Sequence, residues 1–257
     1  MNVKEMKIIE SKDLNYQELN QIVRWSLEEG EDRLLLRGVN GHRYIGVGLE
    51  GKARLEVEGT PGNNLGAMMN GLTVSVYGNA QDGVGNTMHS GVITIWGMAG
   101  DIVGYGMRGG KIFVRDDVGW RVGIHMKGNE STRPVIMIGG KAGDFLGEYM
   151  AGGTIVVLGV NEKPNDAAGA NNLVGKYIAS GMHGGQMYIR GTAPEWQIPE
   201  QARVEEITPE QCGELQNYIN EFAREFDLDC SDLRREVFTR ITPCGTRPYA
   251  HLYDHSA

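Results

Sequence analysis

A seven-residue motif returns along this chain at a fixed interval. Asn63-Asn64-Leu65-Gly66-x-x-Met69 is followed by Asp82-Gly83-Val84-Gly85-x-x-Met88, Asp101-Ile102-Val103-Gly104-x-x-Met107 and Trp120-Arg121-Val122-Gly123-x-x-Met126, in steps of 19 residues. Asp144-Phe145-Leu146-Gly147-x-x-Met150 continues the series after 24, and Asn172-Leu173-Val174-Gly175 reads as a looser copy with Met182 displaced. Self-similarity at so short a period means stacked units, each burying its apolar face on its neighbours. Pairs of alternating apolar residues keep the same interval: Leu55/Val57, Val74/Val76, Ile93/Ile95, Ile112/Val114, Ile136/Ile138, Ile155/Val157 and Met187/Ile189. Alternation by two puts each pair on one face of a strand. The long steps are loop insertions at 127–133 and 160–171, which cost little entropy at a surface. The unit is one coil of an all-β solenoid, with about seven coils between residues 48 and 191.

Glycine makes up 38 of 257 residues, about twice ordinary usage. A coil must turn within a few residues, and glycine reaches positive φ freely. Gly59, Gly78 and Gly97 follow the strand at equivalent places, whereas Gly71, Gly91, Gly110, Gly153 and Gly185 precede it. Asn63, Asp82, Asp101, Asp144 and Asn172 are turn residues that can bond their own backbone. The recurring methionines are flexible apolar fillers suited to the interior of a stack. A ladder of turn residues explains these Asp and Met positions without metal ligation.

Both ends of a solenoid leave backbone groups that need covering. From Asn15 to Glu29, Leu19, Ile22, Val23 and Leu27 fall at helical spacing, with Trp25 slightly off the stripe and Gly30 able to end the helix. With a strand over Arg33–Arg37, this helix is the candidate N-terminal cap, residues 1–47. Residues 48–191 form the repeat domain, and 192–257 a C-terminal helix and tail. Thr208-Pro209-Glu210 predicts a helix start with a Thr N-cap and Pro at the first position. Leu215, Ile219, Phe222 and Phe226 form that helix's apolar face. The aromatic-bearing segment from Phe238 to Tyr253 either packs along the solenoid wall or serves as a docking tail.

The formal net charge of −8 argues against nucleic acid or an anionic membrane as main partner. No apolar run reaches the length of a transmembrane helix, and the N-terminus has no apolar secretory core. Cys212, Cys230 and Cys244 lie far apart outside the repeat, which predicts a reduced, cytoplasmic protein rather than a disulfide framework. Their spacing suits neither a metal nor an iron–sulfur cluster. Cys212 falls inside the predicted helix, and acidic Asp227 and Asp229 make Cys230 a poor nucleophile. His89, His125 and His183 each neighbour a repeat methionine and line one edge as structural residues. Gly83-Val84-Gly85 and Gly104-Tyr105-Gly106 invite a dinucleotide-loop reading, but that motif needs a strand before it and a helix after it. Asp116-Asp117 is a candidate acid–base pair, yet Asp116 takes the place of Gly78 and Gly97 and is better read as a turn residue. No catalytic, cofactor-binding or metal-binding residue emerges. Trp120 replaces the turn Asp, Tyr105 lies between turn glycines, and Tyr249 and Tyr253 sit in the tail. All four are candidate partner contacts, with covering of the turn edges the competing reading for Tyr105 and Trp120.

The repeat region, about residues 41–190, resembles the C-terminal Gly-x-Gly-x-Gly β-helix domain of the glutamate synthase large subunit. The resemblance is carried by Gly78-Asn-Ala-Gln-Asp-Gly-Val-Gly-Asn-Thr-Met88, Gly109-Gly-Lys-Ile-Phe-Val-Arg115 and Gly139-Gly-Lys-Ala-Gly-Asp-Phe-Leu-Gly147. It implies a right-handed, single-stranded parallel β-helix standing alone. It also implies membership of a complex that turns glutamine, 2-oxoglutarate and two electrons into two glutamates. In that family the chemistry lies elsewhere, in a glutaminase domain and a barrel carrying FMN and an iron–sulfur cluster. The chain matches neither, so the resemblance implies a scaffold without activity of its own. Its expected partners are a glutaminase subunit and an FMN and iron–sulfur synthase subunit, and a homo-oligomer stays open. The scaffold subunit of formylmethanofuran dehydrogenase and the N-methylglutamate synthase-like amidotransferases carry a similar repeat. The stretch from Asn79 to Asn86 favours the glutamate synthase group. Residues 244–257 have no counterpart in the family.

Overall fold

Eleven strands form one sheet in the computed structural model, which describes residues 6–128, 131–160, 162–165, 169, 171–200 and 202–245. They are β1 (Lys7–Glu10), β2 (Arg33–Asn40), β3 (Arg54–Thr60), β4 (Asn70–Tyr77), β5 (Ser90–Ile95), β6 (Lys111–Val114), β7 (Val135–Ile138), β8 (Ala151–Val157), β9 (Gly184–Arg190), β10 (Ala202–Ile207) and β11 (Phe238–Pro243). Helix α1 (Tyr16–Glu28) lies between β1 and β2, and α2 (Gly213–Phe226) between β10 and β11. Strands β1 to β9 pair in sequence order and in parallel, whereas β11 and β10 close the end antiparallel. The chain therefore returns to the same side after each coil, as a parallel β-helix must.

The register stacks the alternating pairs into two columns. Leu55, Val74, Ile93, Ile112, Ile136, Ile155 and Met187 are consecutive partners, as are Val57, Val76, Ile95, Val114, Ile138, Val157 and Ile189. All fourteen are fully buried, and each such side chain stabilises by about 1.5–3 kcal/mol relative to exposure. Met69, Met88, Met107, Met126 and Met150 fill the same interior. A third, bridge-only ladder runs through Ala80, Ala99, Val118, Ala142 and Val174. Seven strands from β3 to β9 enclose about six complete turns, one fewer than the seven coils expected, because a turn is the interval between two strands.

Three local expectations need correction. Copy six of the motif is Lys176-Tyr177-Ile178-Ala179-x-x-Met182, not the stretch at Asn172. The Phe145 N–H donates to the Lys176 carbonyl and the Ala179 N–H to the Leu146 carbonyl, so Met182 is in register with Met150. Alanine in the glycine position disguises the copy. The turn carboxylates reach across coils instead of bonding their own backbone. Asp82 Oδ1 accepts from the Asp101 N–H at 2.9 Å, Asp101 Oδ1 from the Trp120 N–H at 2.8 Å, and Asp144 Oδ1 from the Lys176 N–H at 2.8 Å. Stacked coils lie one strand spacing apart, so the next coil's donor is as near as any local one. Finally, α2 begins at Gly213, after a turn in which the Cys212 N–H donates to the Thr208 carbonyl. Cys212 is thus its N-cap and not an interior residue.

Helix α1 opens with a capping box: Asn15 accepts from the Gln17 and Glu18 N–H groups, and Glu18 accepts from the Asn15 N–H. Its Leu19 and Val23 close the open end of the interior, while Trp25 stays exposed. Ile241 of β11 and the partly buried Ile198 and Ala202 pack on the same core from the other end. Thus Phe238–Pro243 is structural, pairing with both β9 and β10. A second core lies outside the coil. Phe113, Val135, Met137, Val156, Leu158 and Tyr188 point outward from β6–β9 and meet Leu215, Ile219, Phe222 and Phe226 of α2.

Candidate docking corner

Each coil turns one corner through alternate residues of positive φ. The triplets are Tyr44/Gly46/Gly48, Asn64/Gly66/Met68, Gly83/Gly85/Thr87, Ile102/Gly104/Gly106, Arg121/Gly123/His125, Phe145/Gly147/Tyr149 and Tyr177/Ala179/Gly181. The alternation has a hydrogen-bonding cause. The outer members donate to the following coil, as Ile102 N–H does to the Trp120 carbonyl and Gly106 N–H to the Ile124 carbonyl. The middle member donates to the preceding coil, as Gly104 N–H does to the Val84 carbonyl. Peptides facing alternately up and down satisfy the corner's donors without a regular strand.

The middle residue faces the interior, which explains its glycine. A Cβ on Gly66 would come 2.6 Å from Ile93 Cδ1, and one on Gly147 would come 2.8 Å from Met187 Sδ. Ten of the fourteen outer residues are not glycine, and all ten are exposed or half-buried. A left-handed backbone costs an L-residue roughly 1–2 kcal/mol, and Ile102 and Thr87 are β-branched, for which it is a true outlier. Side chains are kept here against a conformational preference for glycine.

What they form is an exposed aromatic and cationic edge. Phe145 stacks on Tyr177 at 5.1 Å between centroids, and His125 stacks on Tyr149 at 5.3 Å while meeting Tyr105 edge-on at 6.0 Å. The Arg121 guanidinium lies 4.7 Å from the Phe145 ring centre and pairs with Glu148 at 2.7 Å. Trp120 is 59% and Tyr177 61% exposed; Tyr44, Met68, Tyr105 and Tyr149 are exposed too. Among the sequence candidates, Tyr105 joins this edge through His125 and Trp120 flanks it, exposed, one residue before Arg121, neither being at a positive-φ position, whereas Tyr249 and Tyr253 fall outside the described residues. Gly66, Gly85, Gly104, Gly123, Gly147 and the repeat methionines are interior, and Asp82, Asp101 and Asp144 are the inter-coil acceptors. Tyr44, Met68, Phe145, Tyr149 and Tyr177 join the edge without standing out in the sequence. Their signal is the position two residues either side of the motif glycine. His125 sits at an outer corner position, so it does not share the edge of His89 and His183, whose N–H groups donate to the Met69 and Met150 carbonyls.

Among the described residues no group of three or more His, Cys, Asp or Glu side chains converges to hold a metal, and no helix is long and apolar enough to cross a membrane. Burial raises the Cys230 thiol pKa, with Asp229 adding to the shift.

Besides the Thr94–Glu225 bond and the Lys111–Glu221 ion pair, a polar network around Glu214 interrupts the apolar contact under α2. Glu214 Oε2 accepts from Gln186 Nε2 at 3.1 Å and from the Tyr188 hydroxyl at 3.3 Å, and Glu214 Oε1 from the Tyr218 hydroxyl at 3.1 Å. Burial first, then the Glu214 charge, holds the Tyr188 phenol well above its ordinary pKa. Tyr218 is raised chiefly by burial. A pKa raised in the folded state contributes stability below the unfolded value, near 10, and loses it as pH rises further. Urea midpoints should therefore fall on going from about pH 8 to about pH 10.5. The fall should be shallower in the Tyr188→Phe, Tyr218→Phe double variant; parallel profiles would show that these phenols do not set the alkaline limit.

A family model described as the GXGXG motif matches residues 35–242. The chain is also 43% identical over 256 residues to a protein of Methanocaldococcus jannaschii named "Uncharacterized protein MJ1350", the alignment covering 97% of each chain.

Proposed function

Because the chain belongs to the GXGXG motif family, we propose that it is a non-catalytic scaffold subunit of a glutamate synthase-type complex. In such a complex glutamine, 2-oxoglutarate and two electrons give two glutamates. The observation that carries the docking role is the strained corner, where aromatic and cationic side chains stay exposed although glycine would relieve the backbone. Strain retained at one surface is a pointer to function, and Trp, Tyr and Arg are the side chains that dominate binding hot spots. Catalysis then rests with partners in the cytoplasm, a glutaminase subunit and a subunit carrying FMN and an iron–sulfur cluster.

The test is a tagged pull-down from native cells with mass spectrometry, followed by reconstitution. Recovery of a glutaminase and a flavin, iron–sulfur subunit, with glutamate formation raised by the added chain, is the expected result. Recovery of molybdenum or tungsten enzyme subunits, or no effect on glutamate formation, would overturn it. Within the reconstituted complex, joint Trp120→Ala and Tyr177→Ala substitution should weaken partner affinity about tenfold or more. The unfolding midpoint should hold, since exposed substitutions usually change stability by within about 0.5 kcal/mol. Unchanged affinity would remove the corner from the interface.

A further inference from the structure

Near its N-terminus α2 leaves a cleft of about 470 Å³ against the outer sheet face, a size that suits a small-molecule ligand. Five segments of the chain converge there: Arg133 from the β6–β7 connection, Thr154 from β8, Gln186 from β9, Glu214 from α2 and Arg240 from β11. The wall is already organised. Besides the three bonds to Glu214, Arg240 donates to Gln186 Oε1 at 3.0 Å and to Glu205 Oε2 at 3.3 Å. Elsewhere the helix is held by its apolar face and by two polar links, Thr94 to Glu225 at 2.6 Å and the Lys111–Glu221 ion pair. Polar groups fixed in this way are what a binding site requires, and Arg240 Nε is left buried without a hydrogen-bond partner among the described residues.

The charge of the lining selects the ligand. Two guanidinium groups and one carboxylate line it, a surplus of one positive charge among the lining groups, with Glu205 behind Arg240. Arg240 is engaged by Glu205 and Gln186, and Glu214 already accepts from three donors. Arg133 is exposed and has no ion-pair partner among the described residues. We propose that this cleft binds a small molecule through an oxyanion group, a carboxylate or a phosphate, with Arg133 as the counter-charge. Thr154 and Gln186 offer neutral polar contacts beside it, and the planar guanidinium fork fits either anion in bidentate fashion. This site is separate from the corner and does not depend on the scaffold reading.

Calorimetric titration of the full chain with inorganic phosphate and with succinate, at low ionic strength, tests it. Saturable one-site binding of at least one probe is expected, and the probe that binds identifies the source of the anion. Arg133→Gln should weaken that binding about tenfold or more, and Arg133→Lys should restore part of it. Since Arg133 is exposed, circular dichroism and the unfolding midpoint should not change. Absence of saturable binding by both probes, or equal binding by Arg133→Gln, would overturn the proposal.

Discussion

Replacing Gly91 with alanine should lower the free energy of unfolding by more than about 4 kcal/mol, or prevent folding altogether. Gly91 has φ +104, outside the range an alanine adopts without strain, and that alone costs about 1–3 kcal/mol. Its added Cβ would also overlap the Leu72 carbonyl oxygen of the coil beneath and lie 3.0 Å from Leu72 N. Backbone cannot yield there without parting β4 from β5, whose Val74↔Ile93 and Val76↔Ile95 pairs hold the interior columns. Gly106→Ala is the informative control. Gly106 has φ +57 and its Cβ would meet nothing nearer than Thr87 Cγ2 at 3.9 Å. Met68, Thr87, His125 and Tyr149 carry side chains at equivalent corners, so its cost should stay near 1–2 kcal/mol, roughly the left-handed penalty. Urea unfolding of both variants decides the matter; equal losses would refute the contrast.

Phe222→Ala should cost about 3–5 kcal/mol, the usual range for a large aromatic lost from a packed core. Phe222 is fully buried, meets Phe226 at 4.8 Å between centroids, and lies so close to Gly139 that a Cβ there would come 2.6 Å from its ring edge. Truncation empties the contact between α2 and the outward residues Phe113, Met137 and Val156. The variant should also bind a hydrophobic dye through the uncovered sheet face. A loss below about 1 kcal/mol, without dye binding, would show that α2 is not held through this ring.

The repeat is legible because one physical requirement recurs in every coil: an inward pair of apolar residues, a glycine where no Cβ fits, and a methionine to fill the gap. Leu55 to Met187 and Val57 to Ile189 form the two columns that their spacing predicts. Legibility fails where one of those markers changes. Ala179 in the glycine position hides the copy at Lys176–Met182, and with it Tyr177. The corner edge is half visible: Tyr105 and Trp120 stand out as departures from the motif, whereas Tyr149 and Phe145 look like ordinary variable positions. The C-terminal helix is recognisable by its apolar face. Its start is not, because Thr208 and Pro209 satisfy the rules for a helix opening while forming only a turn.

The solenoid, its period and its interior follow from local spacing repeated along one axis, so the chain's own residue pattern was enough to establish them. Which side chains share a surface, and which donors each carboxylate meets, came instead from the folded arrangement. It places Asp101 on the Trp120 N–H, brings Phe145 onto Tyr177, and gathers Arg133, Glu214 and Arg240 around one cleft. Those neighbours lie on different coils or on segments distant in sequence. Their meeting depends on inter-coil register and on where α2 docks, neither of which any local pattern encodes.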